Sequence, residues 1–332
     1  MLAAALRFFL LIELAAYMAM AMRLFELSVL SASSAALALL LGSRAGIIAV
    51  TYVFAVTYHS PAPRLGFLRA SAMVLTEYLA FLRLFLLIQP FERLWMGADH
   101  LPPGRRVLLL IHGFGCNRGA WWWLRSRLEN GGYAVATLNL EPPYIEIDHY
   151  VAAVAARIEA ACIESGVDRV TLVGHSMGGL LARSATEQSR DSAMAWPAKT
   201  RMIICLGSPQ LGSPVERLGH LTTTALAVSR ITRPLAKLAA NRSQGIQDLR
   251  HGPGRHDADT SEIAWRFIGG SLSEDPDNPL GTILGDGLVT PDSATAHALQ
   301  GDVASVRLGG IGHMQLLTAP RVYAQILSWL PV

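Results

Sequence analysis

The stretch from Val170 to Gly179 constrains the fold of this chain more than any other part of its sequence. It reads VTLVGHSMGG, a run of strand-forming residues that passes through a glycine-flanked turn into a helix-forming segment. Glycines at both sides of a serine let the strand and the helix approach closely, which a strained turn of this kind requires. The turn presents the Ser176 hydroxyl at a helix N-terminus, where a developing negative charge is stabilised. The stretch predicts a nucleophilic serine, with an ordinary glycine turn as the alternative.

Short apolar runs alternate with amphipathic stretches on both sides of this turn, a pattern typical of a parallel sheet covered by helices on both faces. It predicts six strands, at Val107 to Ile111, Ala134 to Leu138, Val170 to Val173, Met202 to Leu206, Ala264 to Ile268 and Ala304 to Leu308. It predicts four helices, at Ala120 to Asn130, Tyr150 to Ser165, Met177 to Gln188 and Val322 to Leu330. We expect an α/β domain over residues 92–332, with about six mostly parallel strands and an insertion at about 212–260 that fits no strand.

A nucleophilic serine needs a general base and a carboxylate that orients the base, and in such folds they follow the serine in the order acid, base. His313 is the histidine that lies between the last predicted strand and the final helix, so we assign it as the base; a surface or capping role is the alternative. Asp286 is the favoured acid because the glycines on either side of it allow a tight loop. The competing carboxylates are Asp275, Asp277 and Asp292.

Acyl transfer also needs two fixed backbone N–H groups at the developing oxyanion. One is expected from Met177, directly after the serine, and the other from Phe114, in the His112-Gly113-Phe114-Gly115 loop after the first strand. We expect His112 to shape this loop, with substrate contact as the alternative. The three tryptophans at 121–123 suit either an acyl-pocket wall or the core, and at most two can face the core from one helix.

The first 91 residues differ sharply in composition from the rest. They hold six basic and three acidic residues, which leaves 22 of each in the remainder, so the formal charge of +3 belongs to the N-terminal module. Apolar runs cover residues 8–22, 27–41, 46–58 and 70–91, and a spanning helix needs about 20 such residues. A tight turn at Gly42 to Gly46 would separate the second and third runs, so the sequence is compatible with three or four transmembrane helices.

Several features of the N-terminal module bear on how it meets a membrane. Glu13 interrupts the first run and further apolar runs follow, so we expect a retained module rather than a cleaved signal peptide. Core helices packed on the catalytic domain are the alternative, disfavoured because these runs are apolar nearly all round. Glu77 lies within the last run, where we expect it to snorkel towards the interface. The basic residues do not decide which face the catalytic domain occupies.

The charge and cysteine patterns exclude several classes of partner. No clustered basic stripe indicates nucleic-acid binding. The three cysteines, at 116, 162 and 205, match neither a disulfide framework nor a zinc site. We expect no metal and no cofactor. The oligomeric state is left open.

Four motifs resemble the bacterial lipase branch of the α/β-hydrolases. They are the oxyanion loop His112 to Gly115, the elbow Gly174 to Gly179, the segment Gly207 to Ser213 and the acid loop Asp286 to Val289. The resemblance covers about residues 105–330. It implies that residues 212–260 form a lid, with an apolar part from Leu218 to Leu238. Secreted lipases of this branch often hold a structural calcium through an aspartate two positions after the catalytic histidine; this chain has Gln315 there, so we do not expect calcium.

The N-terminal module and the segment Gly115 to Trp121 also resemble membrane-anchored, lipase-like proteobacterial hydrolases. The resemblance implies a multi-pass protein of a bacterial inner membrane that hydrolyses lipid or other carboxylic esters. Phospholipase A or lysophospholipase activity is the first expectation, followed closely by glycerolipid or short-chain esterase activity. The alternatives are a membrane acyltransferase with the same triad and a catalytically silent hydrolase-fold scaffold.

Overall fold

The computed structural model describes residues 1–57, 67–143, 147–191, 196–213, 263–277, 285–296, 299 and 301–330. The predicted lid at 212–260 lies almost entirely outside the described residues. The described part consists of an N-terminal set of helices followed by a single parallel sheet with helices on both faces.

Three long helices form the N-terminal part. They are α1 (Leu2–Leu24), α2 (Val29–Thr57) and α3 (Phe67–Leu82), the last of which continues as a π-helical turn, Arg83–Ile88. Helix α2 passes through residues 42–46 without a break, so the turn that the four-helix alternative required there is absent. An isolated glycine inside a helix costs only about 1 kcal/mol, which long apolar stretches on both sides outweigh.

Two of these helices are long and apolar enough to cross a membrane. They are Leu2–Leu24, with a mean hydropathy of 1.8, and the part of α2 over Val29–Gly46, with a mean hydropathy of 1.3. Only 6% and 17% of these windows are buried, so neither resembles the core helix of a soluble domain. A signal sequence has the same length and composition, and both helices lie near the N-terminus.

The sheet has six strands, all parallel in the described pairings, in the order β2-β1-β3-β4-β5-β6. The strands are β1 (Val107–Ile111), β2 (Ala134–Thr137), β3 (Val170–His175), β4 (Thr200–Leu206), β5 (Ala264–Ser271) and β6 (Val303–Gly309). The predicted number of strands and their predicted centres are confirmed. Several strands extend one to three residues beyond the predicted ends, because backbone pairing continues there; Gly174, for example, still pairs with Cys205.

The helices of the catalytic part are α4 (Glu92–Trp95), α5 (Trp122–Asn130), α6 (Val151–Ser165), α7 (Met177–Asp191), α8 (Pro291–Thr295) and α9 (Pro320–Trp329). Short 3₁₀ turns occupy Arg118–Trp121, Ile147–Tyr150, Trp196–Lys199 and Met314–Leu317. Helix α5 begins two residues later than predicted, because Ala120 and Trp121 belong to the 3₁₀ turn before it.

Each strand contributes alternate residues to two separate cores. Leu109 and Ile111 of β1 face the core that α6 and α7 cover, whereas Leu108 and Leu110 face the core that α5 and α9 cover. All four side chains are essentially inaccessible to solvent. A strand that is buried on both faces does not alternate apolar with polar, solvent-facing residues. These strands therefore appear in the sequence as continuous apolar runs.

The strand order fixes where a site can form. After β2 the chain returns across β1 to form β3, so the connections at the carboxyl ends of β1 and β3 run to opposite sides of the sheet. Such a switch point leaves a crevice at the carboxyl edge, where ligands of open α/β sheets bind. The predicted oxyanion loop follows β1 and the serine turn follows β3, so both lie at this crevice.

Candidate active site

Ser176 lies in the turn between β3 and α7, with a backbone φ of +54°. Non-glycine residues with positive φ are uncommon, and at functional sites the surrounding structure holds them in place. Here the Ser176 N–H donates to the Leu206 carbonyl at the end of the neighbouring strand, 2.9 Å away. The turn also needs its glycines: a Cβ on Gly178 would lie 2.1 Å from the Ile111 carbonyl oxygen.

The loop after β1 lies directly beside the serine. A Cβ placed on Gly113 would come within 2.9 Å of the Ser176 Cβ, so only glycine permits this approach. The loop turns back on itself through the Cys116 N–H, which donates to the Gly113 carbonyl at 3.2 Å. Phe114 thus lies in the turn beside the serine. Met177, the residue directly after Ser176, begins α7.

His112 holds this loop in shape. Its Nε2 accepts the Leu140 N–H at 3.0 Å, and its Nδ1 lies 2.9 Å from the Gly113 carbonyl oxygen. A neutral imidazole with its proton on Nδ1 satisfies both contacts, and burial lowers the pKa of His112 to about 4. These contacts agree with the predicted structural role of His112.

Asp286 and His313 are brought together from segments 27 residues apart. The Asp286 Oδ2 lies 2.7 Å from the His313 Nδ1, and both side chains are buried. The Asp286 Oδ1 accepts the backbone N–H groups of Leu288 and Val289 at 3.0 and 2.8 Å. The His313 N–H in turn donates to the Asp286 carbonyl at 2.8 Å. The carboxylate is therefore fixed on one oxygen by backbone donors and presents the other to the imidazole.

The competing carboxylates make other contacts. Asp277 and Asp292 each pair with Arg307, at 3.2 and 2.7 Å, and the Asp275 carboxylate accepts the Asp277 N–H at 3.0 Å. Asp277 and Asp292 are well exposed, whereas Asp286 is buried. Of the four candidate aspartates, Asp286 is therefore the one whose carboxylate contacts the histidine.

His175, the residue before the serine, connects the elbow to His313. Its Nε2 lies 3.0 Å from the His313 carbonyl oxygen, and the two imidazole rings are 4.6 Å apart between centroids. His313 thus lies at the same edge of the sheet as Ser176. Burial, followed by the charge of His313, lowers the pKa of His175 well below its ordinary value, so it stays neutral and donates from Nε2. We did not predict from the sequence that His175 contacts His313. The available signal was the position of His175 at the end of a buried strand, directly before the serine.

The protonation of His313 reflects opposing effects. Burial alone would lower its pKa, but the charge of Asp286, the hydrogen bond to Asp286 and the charge of Glu77 outweigh burial and raise the pKa above its ordinary value. An imidazole stabilised in its charged form by an adjacent carboxylate suits a base that accepts a proton during the reaction.

Two polar residues from the N-terminal part reach this site and were missed as site residues. Glu77 of α3 accepts the Met314 N–H at 3.1 Å, directly after His313, so it points inward and does not snorkel as predicted. Gln89, which follows the π-helical turn, accepts the Asn117 N–H at 2.8 Å, at the end of the oxyanion loop. The sequence signal was their position as polar residues within an apolar run.

The three tryptophans pack in different places. Trp121 is fully buried in the core on the α5 side, 6.4 Å from the His175 ring. Trp122 stacks beneath the Arg83 guanidinium at 4.1 Å, and Trp123 meets the Tyr323 ring edge to face. Trp121 therefore fills the core, whereas Trp122 and Trp123 join α5 to the π-helical turn and to α9.

Within the described residues, no group of three or more histidine, cysteine, aspartate or glutamate side chains is placed to hold a metal ion. The arrangement is instead one of a strained serine, a buried histidine with a carboxylate behind it, and a glycine loop beside the serine.

The family model of the alpha/beta hydrolase family matches residues 108–326. No curated protein matches the chain.

Three solved structures are similar to this chain at low identity. The mature lipase BlEst2 of Bacillus licheniformis is 19% identical, with a TM-score of 0.50, and covers 72% of this chain and 97% of its own. The thioesterase RedJ of the prodiginine pathway in Streptomyces coelicolor is 19% identical, with a TM-score of 0.47 and coverages of 72% and 98%. A carboxylesterase structure from the thaumarchaeon Nitrososphaera gargenis is 15% identical, with a TM-score of 0.45 and coverages of 70% and 91%.

Proposed function

The chain belongs to the alpha/beta hydrolase family, and on that premise we propose that it is a serine hydrolase of carboxylic esters, acting on lipid esters at a bacterial inner membrane. The observation that carries the proposal is the 2.7 Å contact between Asp286 and His313, at the sheet edge where Ser176 is held with a positive φ. A strained serine beside a carboxylate-backed histidine suits covalent catalysis by acyl transfer.

In the proposed reaction, His313 takes the proton of the Ser176 hydroxyl as the oxygen attacks the ester carbonyl. Asp286 holds the imidazole in the tautomer with its proton on Nδ1 and stabilises the imidazolium that forms. The N–H groups of Phe114 and Met177 donate to the oxyanion. His313 then protonates the departing alcohol, and water releases the acyl group by the same steps in reverse order.

The two exposed apolar helices support the membrane part of the proposal. Large side chains on α1 stay in contact with solvent in the isolated chain, including Phe8 at 60% and Leu11 at 67% exposure. Exposed apolar surface of this extent needs an apolar phase around it. We propose that α1 and α2 form a multi-pass hairpin in the bilayer, of the kind the membrane-anchored lipase-like branch carries, and that α3 joins it to the catalytic domain.

One charged pair within the hairpin fits this placement. The Arg44 guanidinium on α2 binds the Glu13 carboxylate on α1 through both terminal nitrogens, with Nη2 at 2.6 Å. Tyr17 donates to the same carboxylate at 2.8 Å. Ionisable side chains inside a membrane are tolerated when they pair with each other.

Turnover by the Ser176→Ala variant, in proteoliposomes and in detergent, tests the catalytic part. With phospholipid, lysophospholipid, glycerolipid and p-nitrophenyl esters we expect a loss of at least about 10³-fold, together with loss of labelling by a fluorophosphonate probe. Ser184→Ala is the matched control, because Ser184 lies on α7 and donates to Asp148 at 2.8 Å. Undiminished turnover by Ser176→Ala would exclude the proposed nucleophile.

The same assays separate the remaining alternatives. A silent scaffold would leave the wild-type protein unlabelled by the probe. A membrane acyltransferase would form a new ester when an alcohol acceptor is added, whereas we expect free acid in both conditions. N-terminal sequencing of the membrane-bound protein checks the hairpin, because a cleaved signal sequence would leave a chain that begins after α1.

A further inference from the structure

The strap, residues 67–89, comprises α3, the π-helical turn and Gln89. It packs on the catalytic domain beside both loops that flank Ser176. At one end, the Glu77 carboxylate accepts a hydrogen bond from the backbone N–H of Met314, the residue after His313. The two residues are 237 positions apart in the chain. At the other end, Gln89 receives the N–H of Asn117 at the end of the oxyanion loop.

The contact at Glu77 fixes the segment on which His313 lies. His313 occupies the N-cap position of the 3₁₀ turn Met314–Leu317 but makes no side-chain capping bond, and the first N–H groups of the turn lack partners within it. Glu77 accepts the first of them at 3.1 Å, and Gln315 folds back so that its Oε1 accepts the Gly312 N–H at 2.7 Å. A Cβ on Gly312 would lie 2.4 Å from the Glu77 carboxylate, which shows how closely the two segments pack.

Glu77 is a buried carboxylate whose second oxygen makes no hydrogen bond of good geometry among the described residues. Burial, assisted by the charge of Asp286, raises the pKa of Glu77 to about 7, opposed by the N–H groups of Met314 and Gln315 and by the charge of His313. Burying a carboxylate with one oxygen poorly satisfied is costly, and perturbed carboxylates of this kind concentrate at functional sites. A neutral side chain would cap the 3₁₀ turn at less cost, so capping alone does not account for the acid.

Gln89 and Asn117 are joined by two hydrogen bonds. Gln89 is fully buried; its Oε1 accepts the Asn117 N–H at 2.8 Å and its carbonyl accepts the Asn117 Nδ2 at 2.9 Å. The Asn117 Oδ1 accepts the Gly119 N–H at 2.9 Å, and the Gln89 Nε2 lies 3.8 Å from the Cys116 Sγ. This pairing fixes the end of the loop that places Phe114 beside Ser176.

We propose that the strap is part of the catalytic apparatus: Glu77 positions His313 and stabilises its imidazolium as a second carboxylate, and Gln89 positions the oxyanion loop. This inference rests on the proposed ester hydrolysis and names two positioning residues for it. Tyr78, next to Glu77, donates to the Leu41 carbonyl of α2 at 2.9 Å, so the same helix joins the membrane hairpin to the catalytic histidine.

The charged groups around His313 set the direction of the expected pH effect. Asp286 and Glu77 face it from the acid loop and from the strap, and both stabilise the imidazolium; His175 faces it from β3 and is neutral. Arg83, six residues after Glu77 on the strap, lies over the Trp122 ring instead. The active enzyme needs neutral His313. Removing the negative charge of Glu77 therefore moves the acid limb of activity to lower pH, while the imidazolium that forms during the reaction loses stabilisation.

The test uses the full-length protein in proteoliposomes, with rates expressed per active site titrated by a fluorophosphonate. For Glu77→Gln, which keeps an acceptor for Met314 but removes the charge, we expect the acid-limb midpoint of kcat/KM to fall by about half a pH unit and kcat to fall roughly fivefold. For Gln89→Ala we expect kcat to fall roughly tenfold through the oxyanion loop, with KM and the midpoint unchanged. Thermal unfolding of each variant reports whether it folds.

Two controls separate a catalytic role from general damage. Glu13→Gln removes an acid of the hairpin that pairs with Arg44, and Gln325→Ala removes a partly exposed amide on α9; both should match wild type in midpoint and in rate per site. A Glu77→Gln profile that overlays wild type, or an equal shift in Glu13→Gln, overturns the role of Glu77. A Gln89→Ala rate per site equal to wild type overturns the role of Gln89. Wild-type protein without Ser176-dependent turnover would instead overturn the proposed function, and this inference with it.

Discussion

The hairpin of α1 and α2, which we propose lies in a membrane, and the parallel sheet are both apolar, but they meet their surroundings in opposite ways. The strands of the sheet bury their side chains on both faces, whereas the hairpin leaves large side chains such as Phe8 and Leu30 exposed. The sheet therefore supplies its own apolar environment, and the hairpin requires one from outside. Apolar composition alone therefore does not identify a core. The strands are short and enclosed by helices, whereas the hairpin has no covering layer among the described residues.

The largest expected effect tests whether catalysis belongs to the sheet alone. Asp286→Asn should lower kcat by about 10³- to 10⁴-fold, because the imidazole loses its tautomer and its charge partner. Membrane association, measured by vesicle flotation, should not change. Asp292→Asn is the matched control, since that carboxylate pairs with Arg307 at the surface. A small effect of Asp286→Asn would show that another carboxylate supports His313.

The next effect belongs to the hairpin. Leu11→Arg places a charge near the middle of α1, where the side chain is 67% exposed, at a cost of about 3 kcal/mol if the helix lies in lipid. We expect roughly a 100-fold loss in flotation with vesicles and unchanged kcat/KM for a soluble p-nitrophenyl ester. Leu11→Ala should float as wild type does. Equal flotation of Leu11→Arg and wild type would mean that α1 does not enter the bilayer.

A pair of glycine substitutions sharpens the contrast in packing. Gly178→Ala forces a Cβ to within 2.1 Å of the Ile111 carbonyl oxygen, whereas the Cβ of Gly42→Ala meets nothing within 4 Å. Thermal unfolding should show Gly178→Ala destabilised by roughly 1–3 kcal/mol and Gly42→Ala stabilised by about 1 kcal/mol. A stable, active Gly178→Ala would contradict the tight approach of the elbow to β1.

The smallest effect is the pH dependence of the wild-type enzyme. The raised pKa of His313 places the acid limb of kcat/KM above pH 6.5, the ordinary value for histidine. Because the neutral imidazole is the active form, activity should rise with pH through this pKa and fall about tenfold per unit below it. Solubility and flotation of the protein should stay constant over the same range. An acid limb of kcat/KM with its midpoint below pH 6 would show that Asp286 and Glu77 do not outweigh the effect of burial on the pKa of His313.

Much of the catalytic domain was predictable because its signals are local. The serine turn, the glycine loop at 113 and the six strands each depend on residues within about ten positions of one another, and the structure places them accordingly. The hairpin was less predictable: the glycines at 42 and 46 have the composition of a turn, yet α2 runs through them, since helical hydrogen bonding continues wherever the flanking residues favour it.

The sequence by itself determined the type of fold and the serine turn, because backbone sterics and apolar periodicity act over short stretches of chain. Tertiary structure alone decided which of four carboxylates faces His313, because that choice depends on how distant loops close at one edge of the sheet. The tertiary structure also decided where the Glu77 side chain lies. An acid in an apolar segment can pair, reach water or dock on another domain, and only the packing of α3 on the catalytic loop selects among these outcomes.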